Sequence, residues 1–164
     1  MTFATHFQMM ARYNRIANER LYGACAQLDD LEYFAERKGS FGSIHGLLNH
    51  LLLGDRIWMS RFEGGGLSTP ALNSILGGSI VELKELRAAE DARIEAFFAR
   101  VGDEFFGRSF PYVNNRGKQY VEEAPVAVAH FFNHQTHHRG QVHVMLSQTE
   151  VLALSLDLHR IINP

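Results

Sequence analysis

Apolar residues recur at steps of three, four or seven along the first half of the chain, which is the spacing of amphipathic helices. Over residues 3–28 the repeating positions are Phe3, Phe7, Met10, Ala17, Leu21, Ala24 and Leu28. In the second segment they are Ile44, Leu47, Leu48, Leu51, Leu52, Trp58 and Phe62. The glycine run at 64–66 interrupts this second pattern, so we expect the helix to end there.

Two more helices are predicted in the second half of the chain. Ser79 and Glu82 have the spacing of a capping box, which favours the start of a third helix. The apolar face of that helix comprises Leu83, Leu86, Ile94, Phe97, Phe98 and Val101. Pro125 is suited to the first turn of a fourth helix, which continues to about Gln148.

The residues between the third and fourth helices differ from the rest of the chain. The run Asn-Asn-Arg-Gly at 114–117 lies between two short apolar stretches, which predicts a long loop or a small hairpin. One short helical turn is expected in the tail, near residues 156–161. Four long helices in a single domain, 1–164, predict an all-α four-helix bundle. The connection at 64–78 is longer than an antiparallel helix pair needs, so we expect at least one crossover connection.

Composition and charge narrow the range of partners. With 164 residues, 46% hydrophobic and 21% charged, the chain has the composition of one soluble globular domain. A net charge of −2 offers no basic surface, so we expect no nucleic-acid partner. No apolar stretch reaches the ~18 residues of a membrane span, and a secretory signal is absent, so a cytoplasmic location is expected. Cys25 is the only cysteine and fits a reducing compartment.

Nine histidines are the most unusual feature of the composition. His134 and His138 are four residues apart, so they lie about 40° apart on one helix face. That face also carries Ala127, Phe131, Val142 and Met145. Imidazoles on an apolar face need polar partners, and one metal ion satisfies two rings at once. The alternative, in which each ring hydrogen-bonds a neighbour and no metal is bound, stays open at this point.

A third ligand is expected from the second helix. His50 shares a stripe with Leu47 and Gly54, and Gly54 leaves space for a neighbouring helix or a ligand. His130 is excluded as a ligand, because the eight residues to His138 span ~12 Å of helix. The Glu-x-x-His motif of ferritin-like di-iron bundles is missing, and so is the His-Glu-x-x-His motif of zinc proteases.

Two segments resemble the DinB family of metalloproteins. They are SIHGLLNHLLLGDRIW at 43–58 and NHQTHHRGQ at 133–141. The family's three metal-binding histidines correspond to His50, His134 and His138. The resemblance implies an up-down-down-up bundle, frequently dimeric, with zinc or nickel at one end of a cleft. Members of the family include S-transferases that use low-molecular-weight thiols and a thiol-dependent maleylpyruvate isomerase, so a small-molecule substrate is expected. Because members of the family are frequently dimeric, the resemblance also implies a homodimer.

Three histidine ligands leave a divalent ion with open positions, which can activate water or bind a thiol as its thiolate. The first route predicts a hydrolase and the second a thiol transferase, whereas a non-catalytic metal-binding protein of the stress response is a third interpretation. Candidates for orienting the metal-binding rings are Asn49, Asp55 and Gln141. Candidates for substrate binding, from the segment before the fourth helix, are Arg116, Tyr120 and Glu123.

Overall fold

A computed structural model describes residues 1–65, 71–114, 116–152 and 154–164. Helices make up 64% of the chain and strands 6%. In chain order the elements are α1 (Phe3–Cys25), α2 (Asp30–Phe34), α3 (Ile44–Phe62), α4 (Ile80–Arg100), a 3-10 helix (Asp103–Gly107), β1 (Ser109–Val113), β2 (Gln119–Glu123), α5 (Ala124–Leu146) and α6 (Leu158–Ile162). Gly66 and Asn115, assigned above to the end of a helix and to a turn, lie outside the described residues.

The four long helices begin where the sequence predicts. The side chain of Thr2 caps α1, that of Ser43 caps α3 and that of Ser79 caps α4. The capping box of α4 differs in one detail, because the Glu82 carboxylate accepts the N–H of Gly78 at 2.7 Å. At the start of α5, Pro125 lies in the first turn, where its missing N–H leaves no donor unpaired.

The two larger apolar clusters of the core lie one at each end of the bundle, and a third, smaller cluster joins α1 to α6. In the first cluster the beginnings of α1 and α5 meet the ends of α3 and α4. Its members include Phe7, Phe62, Phe98 and Phe131. In the second cluster the ends of α1 and α5 meet the beginnings of α3 and α4. Its members include Leu21, Leu48, Leu83 and Met145.

This arrangement is the up-down-down-up topology that the family resemblance implies. Helices α1 and α5 run in one direction, and α3 and α4 run in the other. Because α3 and α4 are parallel and pack against each other, the chain crosses over the length of the bundle between them. The expected crossover connection is therefore confirmed.

The predicted hairpin is present, and two short elements were not predicted. Strands β1 and β2 pair antiparallel, with Tyr112 opposite Tyr120. The five residues of α2 and of the 3-10 helix are too few to show a periodic apolar pattern. Among the described residues, no helix is long and apolar enough to cross a membrane. Cys25 is buried.

A layer of buried polar side chains separates the two apolar clusters. All four long helices contribute to it, through Asn14, Asn18, Asp55, Arg87, Asp91, Gln135 and Arg139. Arg87 donates to Asp55 at 2.6 Å and contacts Asp91 at 3.0 Å. Gln135 also donates to Asp55. The network therefore fixes the position of α3 relative to α4 and α5.

Candidate metal centre

The structure brings together the three histidines that the sequence singled out. His50 lies on α3, and His134 and His138 lie one turn apart on α5. Ligand nitrogens from the three rings all lie within 4.8 Å of one another. The Nε2 atoms of His50 and His134 are 3.3 Å apart, and the ring centroids of His134 and His138 are 4.4 Å apart.

Hydrogen bonds orient two of the three rings. His50 donates from Nδ1 to the carbonyl oxygen of Leu72 at 3.1 Å. His138 Nδ1 lies 2.7 Å from Oε1 of Gln141 and donates to it. A ring that donates from Nδ1 keeps the lone pair of Nε2 for a metal ion, and such partners are typical of metal-binding histidines. Gln141 thus contacts one of the three rings that the sequence expected it to help orient.

Two further residues fix the rings by packing. The ring of Phe41 stacks on His50 with a centroid distance of 3.8 Å and an interplanar angle of 18°. Phe41 holds this position with a φ of 67°, a backbone conformation that costs a non-glycine residue about 1–3 kcal/mol. A Cβ at Gly54 would lie 2.9 Å from Cε1 of His134. Gly54 therefore admits the His134 ring, in agreement with the space inferred from the sequence.

Burial keeps the three imidazoles neutral. Burial, together with the neighbouring His138 and His50, lowers the pKa of His134 to about 3. Burial also lowers the pKa of His50 and of His138, while their hydrogen bonds to Leu72 and Gln141 act in the opposite direction. Only a neutral imidazole offers a lone pair to a metal, so the site is prepared for a cation.

Asn49 and Asp55 make their hydrogen bonds away from the three rings. Asn49 Oδ1 accepts the N–H groups of Leu76 and Gly77 at 2.7 and 3.1 Å, which ties the loop before α4 to α3. Asp55 binds Arg87 and Gln135 in the buried polar layer. Asp55 therefore does not orient a metal-binding ring, because α4 packs against α3 and places the buried Arg87 beside it.

A cavity of about 220 Å³ adjoins the histidines. Its wall includes His50 and His134 and is completed by Gly54, Ile57, Trp58, Arg61, Leu72, Tyr112, Asn114 and His130. The hairpin thus reaches the cavity through β1 and the following residue. Tyr120 instead stacks on Tyr112 at 5.5 Å, Arg116 lies exposed in the turn, and Glu123 lies exposed at the start of α5.

Sequence reasoning missed the wall of this cavity, although part of it had a signal. Trp58 and Arg61 follow Gly54 by four and seven residues, the spacing that continues the stripe of His50 along α3. The contribution of Tyr112 had no comparable signal, because the packing of the hairpin on α3 decides which strand faces the site. His130, excluded as a ligand, lies beside Trp58 with a centroid distance of 5.2 Å.

Comparison with known proteins agrees with this arrangement. The model of the DinB family matches residues 1–161. The chain belongs to the DinB family. A curated relative, Protein DinB of Bacillus subtilis (strain 168), is 26% identical over 145 residues, which cover 83% of this chain and 81% of that protein. Membership of the DinB family and three convergent, neutral histidines are together compatible with a metal site. Imidazole donors suit zinc, copper, iron and nickel, so the donor set fits a divalent transition metal.

Proposed function

We propose that this DinB-family chain is a metal-dependent enzyme that transfers a low-molecular-weight thiol to a small electrophilic molecule. The observation that carries the proposal is the convergence of His50, His134 and His138 beside an accessible cavity, whose wall includes the first two of these rings. A purely structural metal site is closed by four protein ligands, whereas three ligands beside a cavity leave a position for a substrate. Zinc or nickel is the proposed metal.

A divalent ion held by the three histidines would supply Lewis acidity, which favours a thiol in its thiolate form at neutral pH. The residues of the chain have separate tasks. The Leu72 carbonyl and Gln141 keep the rings oriented, and Phe41 covers one face of His50. The aromatic side chains of Trp58 and Tyr112 provide an apolar surface for an organic substrate.

The proposed reaction is a substitution at carbon. The thiol loses its proton to solvent, and its sulfur electron pair forms a bond to the electrophilic carbon. The bond between that carbon and its leaving group breaks, and the leaving group departs with the electron pair. No oxidant or reductant is needed, because neither reactant changes its overall oxidation state.

His130 supports hydrolysis as a second candidate function. It lines the cavity, and burial lowers its pKa, with nearby Glu122 acting in the opposite direction. A neutral imidazole in that position can accept a proton from a water molecule as a general base. A hydrolase would use this residue, whereas a thiol transferase does not require a base in the cavity.

A substrate screen separates these functions. Protein loaded with zinc or nickel would be given 1-chloro-2,4-dinitrobenzene with 2-mercaptoethanol or N-acetylcysteine, and separately p-nitrophenyl acetate without thiol. We expect thioether formation that depends on the metal and is lost in His134→Ala, with His159→Ala as the control. Ester hydrolysis without thiol that is lost in His130→Gln would favour the hydrolase. Metal binding without turnover of either probe would contradict both and favour the non-catalytic interpretation.

A further inference from the structure

Arg61 places a positive charge in the wall of the cavity beside the histidines. Its guanidinium lies against two adjacent aromatic rings, 4.5 Å from the centroid of Trp58 and 4.3 Å from that of Tyr112. One Nη2–H group donates to the carbonyl oxygen of Val113 at 3.4 Å. The two rings and this hydrogen bond hold the planar group in place, and most of its five N–H donors are not used by these contacts.

No carboxylate neutralises this charge among the described residues. Ion pairs hold six other arginines: Arg15, Arg37, Arg56, Arg87, Arg93 and Arg100. Arg61 forms no such pair within the described ranges, and the residues outside them, 66–70, Asn115 and Ala153, have no acidic side chain. Within the described part of the chain, the cavity wall also contains no Asp or Glu.

Arg61 is partly buried but has no carboxylate partner among the described residues. Removal from water lowers the pKa of Arg61, with the Tyr112 hydroxyl as the only opposing influence. A partly desolvated charge with free donors is a ready binding site for an anion, because the solvation that it has lost is replaced by charge-assisted hydrogen bonds. The fork of the guanidinium matches the two oxygens of a carboxylate.

We propose that Arg61 binds a carboxylate group of the thiol or of its electrophilic partner. This inference rests on the proposed function, since it names the substrate class of the same cavity. One unpaired cation in the wall matches a monoanion, which favours a carboxylate over a phosphate dianion. Arg61 follows His50 by eleven residues, or roughly 16 Å of helix, and helical side chains lean towards the N-terminus. The carboxylate therefore lies several bonds from the reacting sulfur.

A pair of thiols of equal length tests the inference by binding alone. The probes are 6-mercaptohexanoate and 6-mercaptohexanol, titrated into the cobalt-loaded protein. The thiolate-to-cobalt charge-transfer band reports binding of the sulfur to the metal. The fluorescence of Trp58, the single tryptophan of the chain, reports binding beside Arg61. We expect the acid to bind at least tenfold more tightly than the alcohol, and Arg61→Gln to remove that difference.

The matched control is Arg56→Gln, because Arg56 also lies on α3 but pairs with Glu90. It should keep the preference for the acid, and Arg61→Lys should keep part of it. Equal affinities of the wild type for both thiols, or an unchanged preference in Arg61→Gln, would overturn the role of Arg61. If no thiol gives the absorption band, the proposed thiol chemistry fails. The inference on Arg61 is then decided by titrating hexanoate and hexanol and following the fluorescence of Trp58. The wild type must bind hexanoate more tightly than hexanol, and Arg61→Gln must bind the two with equal affinity.

Discussion

Single residues that bind no metal determine the shape of the proposed centre. Gly54 leaves room for the His134 ring, Gln141 orients His138, and Phe41 covers His50. Each contact restricts the rotation of one imidazole before any ion is present. The centre is therefore preorganised, and small changes beside the rings are expected to affect metal affinity more than stability.

Gly54→Ala should lower metal affinity without unfolding the protein. The new Cβ would lie 2.9 Å from Cε1 of His134, so the ring must rotate away from His50. Alanine favours the helix, so the fold is kept. We expect a loss of affinity on the order of tenfold to a hundredfold, as for other residues that orient ligands. Isothermal titration with zinc measures the loss.

Gly140→Ala is the matched control, because Gly140 also lies in a metal-binding helix and nothing is within 4 Å of an added Cβ. It should leave the zinc affinity unchanged and raise the free energy of unfolding by up to about 1 kcal/mol. Equal zinc affinities for Gly54→Ala and the wild type would show that His134 does not depend on this close approach.

The metal-free protein should lose stability as pH falls below about 6.5. Burial lowers the pKa of His134 from 6.5 to about 3, so the unfolded chain binds more protons than the folded chain in this range. The contribution of the neutral His134 ring to the free energy of unfolding is fully present above pH 6.5 and is lost as pH falls towards 3. Urea denaturation between pH 4 and 7 measures this slope.

His134→Gln should reduce the slope, and His159→Gln should leave it unchanged. The comparison with a variant is needed because burial raises the pKa of Asp55 to about 6, which acts in the opposite direction. An identical slope for His134→Gln and the wild type would mean that the His134 ring is protonated normally in the folded protein.

At the residue scale, the sequence selected the three histidines that converge in the structure but not their surroundings. The i, i+4 spacing and the apolar stripe of α5 were sufficient to select His134 and His138, and the family resemblance agreed on His50. Phe41 could not be predicted, because its contact with His50 depends on a positive φ in a short loop. The substrate candidates Arg116, Tyr120 and Glu123 share the hairpin region with Tyr112, which lines the cavity.

The helices are held in register by the buried polar layer between the two apolar clusters. Asp55 lies directly after Gly54 on α3, and Gln135 lies directly after His134 on α5. The hydrogen bond between Gln135 and Asp55 therefore connects the two metal-binding helices beside the site. A change in this layer should affect both the stability of the bundle and the convergence of the three histidines.

Asp55→Ala should lower the free energy of unfolding by about 3 kcal/mol, near the lower end of the range for breaking a buried ion pair. Arg87 would lose one carboxylate in a fully buried position, although it would keep Asp91. Urea denaturation measures the change. Glu19→Ala removes an exposed pair with Arg15 and should change stability by no more than about 0.5 kcal/mol. Similar losses for the two variants would contradict a structural role of the polar layer.

At the element scale, the long helices were predictable because each is long enough to repeat its apolar face several times. The short helix α2 had only a local signal, since Asp29 caps it by accepting the N–H of Glu32. The polar layer had no signal at all. Arg87 and Asp91 look like surface residues in the sequence, and Asp55 was interpreted there as a partner of the metal-binding rings. Only the packing of the four helices brings the three together in a buried layer.

For the whole molecule, we propose a homodimer, as the DinB resemblance implies. The large aromatic residues of α3 add no evidence for a dimer, because Phe62 packs within the core of one chain and Trp58 lines the cavity. Light scattering at micromolar concentration should give twice the 18.6 kDa mass of the chain. A mass near 18.6 kDa across that range would show a monomer.

The central claim is that His50, His134 and His138 bind one divalent metal ion. Isothermal titration with zinc at neutral pH tests it most directly, comparing the wild type with the variant in which all three histidines are replaced by alanine. The wild type and the control His143→Ala should bind one equivalent with the same affinity, and the triple variant should bind none at that affinity. One equivalent of zinc bound by the triple variant with wild-type affinity would contradict the claim.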